Sequence, residues 1–402
     1  RHVEVFQMAC VGTSIIGRPR PLSSYRRATS PRPPSTPSIV KSPFAGASHR
    51  SFAWINANHK LPETYHQLNK AGIHAHAQFQ ESVLDQRRVE GDSPLQPWFH
   101  QTGSIMADLG TERQETYGQR LEESRSLGYP VEVIDRQQLH KLEPSIAWPQ
   151  DLESALYFPL EAWLDQQGLA DELLRQLEHY GVRLTVREVI EVIPGPQGAR
   201  VVFRDGPQTR GDKVVLAAGA WSRQIGERSG FTIPTADLGE QSTRTHSLIG
   251  LTQPTDATLN RVIISSAMNV RPRNDGRFWV QIPAMEERVV EGETAELLED
   301  TSTVMRQRLR EFFGVEIELE KVYYSGRSFP IDGLSIVGYL DDHETIYAEV
   351  THSGMTLAMI LAELVEQELS GTPSTMLDNF RPQRFDHGNA PEADWDYFIG
   401  KQ

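Results

Sequence analysis

Cysteine is almost missing from this chain: Cys10 is the only one in 402 residues. That excludes an intramolecular disulfide and is in keeping with a reducing compartment. No apolar run reaches the ~18 residues that a membrane-spanning helix needs. Basic residues are the minority charge, with 40 Lys and Arg against 54 Asp and Glu and a formal net charge of −14. Phosphate binding is dominated by Lys and Arg, so nucleic acid is excluded as the expected partner. Acidic residues are absent in turn from one long stretch, with none between Glu4 and Glu63. Motifs of several enzyme classes are missing too: there is no GxSxG elbow, no P-loop and no HExxH. His66, His74 and His76 stand close together, but a two-residue spacing diverges on a helix and His66 is not four residues from either. No metal site is assigned.

What is present reads as an ordinary globular chain, 38% hydrophobic and 23% charged, long enough for two cores. Apolar positions Tyr65, Leu68, Ile73, Phe79 and Leu84 suggest a helix over 60–90. Dense charge over 111–129 and 136–142 suggests two more. Leu169, Leu173, Leu174 and Leu177 share one side of a helix from Asp165 to Tyr180, ended by Gly181. Strands are expected at 182–193, 200–204 and 213–218, then in the span 243–283, where Asn274-Asp275-Gly276 signals a hairpin. A helix at 293–313, strands at 315–325 and 345–350, and a closing helix at 354–370 stopped by Gly371 complete the order. No internal repeat is present.

Three segments carry the chemistry. The first is Tyr347-Ala-Glu-Val-Thr-His352-Ser353-Gly354-Met355-Thr356, a strand-like run and a small-residue turn opening a long apolar helix. Amides at such a helix start can face an electron-rich ring or phosphate. The second is Leu216-Ala217-Ala218-Gly219-Ala220-Trp221-Ser222, and the third Arg327-Ser-Phe-Pro330-Ile-Asp332-Gly333. In this order, together with Gly46-Ala-Ser48-His-Arg-Ser51-Phe-Ala-Trp54-Ile-Asn56-Ala-Asn58-His59-Lys60, they resemble the D-amino-acid oxidase, glycine oxidase and sarcosine oxidase family of FAD-dependent enzymes. The resemblance covers roughly residues 41–385.

That resemblance implies an α/β (α+β) fold: a discontinuous FAD-binding Rossmann-like domain with an inserted antiparallel-sheet substrate domain. Residues 1–90, 150–225 and 325–385 fall to the first, 91–149 and 226–324 to the second, and 386–402 to a tail. It implies non-covalent FAD, since no cysteine lies near 320–360 to tether a flavin. It implies oxidation of the C–N bond of a small amino acid or secondary amine by hydride transfer. A hydroxy-acid dehydrogenase of the same family and a catalytically defective remnant are the alternatives. A soluble protein is expected, cytoplasmic unless the first 40 residues are a targeting segment.

Arg327 matches the family position that grips the substrate carboxylate, a role suited to a planar fork of donors that stays charged. Tyr323 and His246, with Arg271, Arg273 and Tyr324, fall in segments that would line the substrate cavity, where a Tyr or His can orient an amine. Cofactor contacts are expected at Gly12 and Gly17, at Ser48, Ser51, Trp54, Asn56 and Asn58, at Ala218, Gly219 and Trp221, and at Ser353, Gly354, Met355 and Thr356. Trp221 is equally readable as a core anchor, and Ser353 as a helix cap. His352 is read as a flavin neighbour, because hydride loss from a neutral amine needs alignment and no base at the carbon.

The N-terminus departs from the family. Its turn reads Val11-Gly12-Thr13-Ser14-Ile15-Ile16-Gly17, with Ser14 where the second glycine of GxGxxG belongs. Residues 18–38 then carry so many prolines that the helix which should follow cannot form, and the acidic residue for the ribose is missing. Three readings fit this segment. It is basic, Ser-rich and acid-poor like a transit peptide, although such a peptide should precede an intact turn. Its composition also suits a disordered insertion. The third and preferred reading is out-of-frame sequence, since Leu22-Ser23-Ser24-Tyr25 can be encoded so that the next frame gives Tyr-His-Leu, suited to the missing helix.

Overall fold

A computed structural model of the protein describes residues 3–6, 44, 46–91, 95–107 and 114–386. The turn at 11–17 and the proline-rich run lie outside the described residues, and with them the expected ligands Gly12 and Gly17.

Four strands form the sheet on which the site is built: Val3–Phe6, Lys213–Leu216, Ile346–Val350 and Ile336–Tyr339, in that spatial order. The first three run parallel and the last returns antiparallel. The third is buried at every position. That is expected of a parallel strand covered on both faces. Alternation divides its neighbours cleanly: Val214, Leu216, Ile336, Ile346 and Val350 join one core, Val215, Val337 and Tyr347 the other. The first core lies under a three-stranded meander, Val189–Ile193, Ala199–Phe203 and Gln208–Gly211. The second lies under two packed helices, Glu63–Glu90 and the closing helix Gly354–Leu369. Their approach is close because Gly72 has no side chain, and a Cβ there would stand 2.4 Å from the Thr356 carbonyl oxygen.

Between the parallel strands the chain builds an eight-stranded, mostly antiparallel sheet from residues 104–158 and 246–326. The helix Ala295–Phe313 backs it, capped by the Thr294 hydroxyl, which accepts from the Leu297 amide at 3.1 Å, and ended by left-handed Gly314. The expected α/β architecture with an antiparallel insertion is the one observed. Strand Ser154–Phe158, counted with the cofactor part by its place in the sequence, is hydrogen-bonded into this larger sheet. A small sheet of Trp54–Ile55, Ala162–Leu164 and Phe99–His100 joins the two parts.

Local expectations held where the pattern was strong. The helix Gln166–His179 begins at Asp165, whose carboxylate accepts from the amides of Gln167 and Gly168, both at 3.1 Å. Asn274–Gly276 closes the hairpin between Asn269–Pro272 and Phe278–Gln281. The strand expected over 182–193 is confined to Val189–Ile193. Leu184 and Val186, which made the longer run look strand-like, are 49% and 62% exposed. Alternation without a buried face builds no ladder. No described helix is long and apolar enough to cross a membrane.

Candidate functional site

The C-terminal ends of parallel strands are where an α/β sheet offers its ligand crevice. Here the ends of Lys213–Leu216 and Ile346–Val350 open onto a cavity of about 230 Å³. The segment 47–60, the turn 351–356 and one edge of the large sheet enclose it.

The turn supplies amides. Thr351 Oγ1 accepts from the Ser335 hydroxyl at 2.8 Å and the Ser353 amide at 3.2 Å, folding the chain back after its strand. The closing helix then starts at Gly354, and its first-turn amides have no intrahelical acceptor. Capping by Ser353, one expectation for that residue, is not observed: its side chain makes no cap bond, and its Oγ accepts from the Tyr65 hydroxyl at 2.8 Å. Ser353, Gly354, Met355 and Thr356 all line the cavity. Histidines of the long helix pin this turn and the facing segment. The ring of His76 contacts the Met355 carbonyl at 2.7 Å, and that of His66 the Ala57 carbonyl at 2.8 Å. Burial lowers His76 to about 4, so it stays neutral and donates that bond.

From the segment 47–60, Ser48, Ser51, Trp54, Asn56 and Lys60 reach the wall. Trp54 is held by its indole N–H, which donates to Glu161 at 2.7 Å; Tyr129 and Ser104 donate to the same carboxylate. Glu161 is fully buried, and burial raises it to about 7 against those hydrogen bonds. Burial lowers Lys60 to about 8, opposed by the charge of Glu161. Asn58 is buried behind the wall rather than on it. Gly219 lines the cavity, with a left-handed φ of 54° that lets the backbone turn at the strand end. Ala218 and Trp221 face the meander-side core instead.

Arg327 stands on the opposite wall. One guanidinium nitrogen donates to the His246 carbonyl and to Glu286 Oε2, both at 2.9 Å. The other oxygen of Glu286 accepts from the Leu248 amide at 2.7 Å. Burial raises Glu286 while Arg327 opposes, and burial lowers Arg327 while Glu286 opposes. Nε of Arg327 has no partner among the described residues.

His246 and Tyr323 are corrected in place. The ring of His246 stacks on Tyr324 with centroids 4.7 Å apart, and only its backbone carbonyl reaches Arg327. Tyr323 packs against Trp279 and under Arg50, off the wall. Arg271 is also off it, fully buried and donating to Gln166 at 2.6 Å and to the Phe52 carbonyl, so that it clamps the loop to the large sheet. Asp332 is no acid of the site: it accepts from Arg384 at 2.7 and 3.0 Å beside the Gly333 turn.

Sequence reasoning passed over Lys60, Glu161, Glu286 and Glu349 as individual residues. Glu349 alone left a signal, an acid inside the apolar strand Ile-Tyr-Ala-Glu-Val.

A flavin requires a flat apolar slot with donors at one polar edge. Phe52, Trp54, Ile264 and Met355 supply apolar wall. Buried polar atoms without partners among the described residues gather around it: Arg327 Nε, Ser328 Oγ, Glu349 Oε2 and His352 Nδ1. With the helix-start amides they form a set that asks for a polar ligand, and the residues present fit the flavin end of FAD.

Comparison with known proteins agrees. The fold matches glycine oxidase from Geobacillus kaustophilus with a TM-score of 0.70, covering 85% of this chain and 90% of that one at 16% identity. It matches L-proline dehydrogenase from P. horikoshii at 0.67, covering 86% and 90%, again at 16% identity. In sequence, mitochondrial dimethylglycine dehydrogenase of Rattus norvegicus is 26% identical over 162 residues, 40% of this chain and 19% of that enzyme. The chain thus spans about a fifth of the curated relatives it matches first. The family model described as FAD dependent oxidoreductase matches residues 39–368, beginning just past the proline-rich run, and the chain belongs to that family.

Proposed function

We propose that the site of this chain, when loaded with FAD, is one for oxidation of the C–N bond of a small amino acid or carboxylate-bearing secondary amine to the imine. The observation that carries this reading is Arg327 on the wall of the cavity that also receives the helix-start turn 353–356. Bound FAD supplies the acceptor for the hydride and its electron pair. Arg327 is aimed by Glu286 and the His246 carbonyl and lines the cavity, where its guanidinium would meet a substrate carboxylate. Gly354–Thr356 would hold the polar edge of the flavin with amides that stabilise charge as the ring is reduced. Burial, with the cations Arg327 and Lys60 nearby, lowers His352 to about 3, so it neither takes a substrate proton nor adds charge beside the ring. Phe52, Trp54, Ile264 and Met355 keep water from the reacting carbon.

Anaerobic mixing of flavin-loaded protein with glycine, N-methylated amino acids, cyclic imino acids and hydroxy acids tests the reading. Bleaching of the visible flavin band by the amines and not by the hydroxy acids is expected. Bleaching by hydroxy acids alone overturns it.

A further inference from the structure

The strand Ile346–Val350 carries one group with no explanation in the fold. Its side chains alternate between the two cores, and Glu349 follows Tyr347 onto the helix-covered face. Tyr347, the other polar side chain that this strand places on that face, is matched. The Tyr347 hydroxyl donates to Glu368 at 2.5 Å, and Arg381 donates to both oxygens of Glu368 at 2.5 and 2.7 Å. Glu349 differs. It is 6% exposed, it lines the cavity, and its Oε2 has no partner among the described residues.

The charged groups that share its surroundings are engaged elsewhere. Arg327 pairs with Glu286, Lys60 is drawn by Glu161, Arg50 lies over the Tyr323 ring, and His352 is neutral. With no charge to oppose it, burial raises Glu349 to about 8. A buried carboxyl of this kind is a neutral acid at pH 7, and a neutral acid is a hydrogen-bond donor. A cavity wall is where such a donor finds an acceptor, and nothing among the described residues provides one to Oε2.

We propose that Glu349 is a cofactor-binding residue, donating a hydrogen bond to an acceptor on the flavin half of bound FAD. The inference rests on the flavin reading of the cavity. Its consequence is a proton linked to binding. The free protein loses the Glu349 proton above about pH 8, and flavin binding must then take one up. The Glu349 contribution to affinity is flat below that pH and falls tenfold per unit above it; Lys60, lowered to about 8 on the same wall, is common to wild type and variants, so the difference between them isolates Glu349.

The test is the dissociation constant of FAD and of FMN, read by quenching of flavin fluorescence from pH 6 to 9.5, for the wild type, Glu349→Gln and Glu349→Ala. Glutamine keeps a donor that does not ionise. The expected result is a wild-type loss above about pH 8 with both flavins, a flat profile relative to it for Glu349→Gln, and at least tenfold weaker binding at pH 7 for Glu349→Ala. Parallel profiles for wild type and Glu349→Gln overturn the proposal while leaving the flavin site standing. Affinity that rises with pH in the wild type alone also overturns it, because the carboxylate is then an acceptor. A pH effect with FAD and none with FMN overturns the assignment to the flavin half. Failure of both flavins to quench saturably overturns the proposal together with the flavin reading.

Discussion

Two strands of one sheet, Val3–Phe6 and Ile346–Val350, run parallel to the strand between them, and the glycine-containing sequences that follow them are of opposite kinds. After Ile346–Val350 comes a 16-residue helix packed along its length against Glu63–Glu90. After Val3–Phe6 come Ser14 in place of a glycine and then a run of prolines. The turn at 351–356 is secured by tertiary contacts, the hydroxyl of Tyr65, the ring of His76 and the space left by Gly72. A phosphate turn depends on its own sequence instead: glycines for close approach, and a helix behind them for amides and dipole. The flavin half of a site can therefore persist where the phosphate half is lost.

The largest expected effect breaks that contrast directly. The chain as it stands should purify without stoichiometric FAD and show little activity. Replacing residues 18–40 by a helix, a strand and a terminal Asp or Glu should give yellow, FAD-bound protein. The gain is on the order of 5 kcal/mol, about three charge-assisted hydrogen bonds. Visible spectra of both proteins decide it, and a full complement of FAD on the unaltered chain refutes the claim that the segment matters. Next is Arg327→Leu in flavin-loaded protein, expected to raise KM for a carboxylate substrate by an amount worth on the order of 2–5 kcal/mol. Steady-state kinetics unchanged by the substitution would remove Arg327 from the site. Smallest is Gly72→Ala. The new methyl would press the Thr356 carbonyl and push the closing helix away, at about 1–3 kcal/mol of stability. FMN affinity should weaken along with thermal stability; weakened stability at unaltered affinity would mean that the turn is not positioned by this contact.

Much of the frame was legible because its signals are local. The helix at 166–179 announces itself by Asp165, four leucines and Gly181, and the hairpin at 274–276 by its turn residues. The turn 353–356 and Arg327 were legible through the family pattern around them. What could not be read are contacts between distant segments. Nothing in Leu160-Glu161-Ala162 tells that its acid will hold the indole of Trp54, 107 positions away. Glu286 and Arg327 meet only because two strands and a short helix converge, and the same convergence turns the ring of His246 away while bringing its carbonyl in. The overlong strand at 182–193 failed for the complementary reason, a local pattern with no neighbour to pack on.

His66 and His76 hold two of the segments that enclose the cavity, 47–60 and 351–356, from a single helix, ten positions apart. At about 1.5 Å per residue that is a fixed rule of about 15 Å, and each position also turns about 100° around the axis. Removing or adding one residue between them would swing one imidazole away from its carbonyl, however conservative the composition. This stretch should therefore accept exchanges of identity on its outer side, where His74 is exposed, and refuse changes of length.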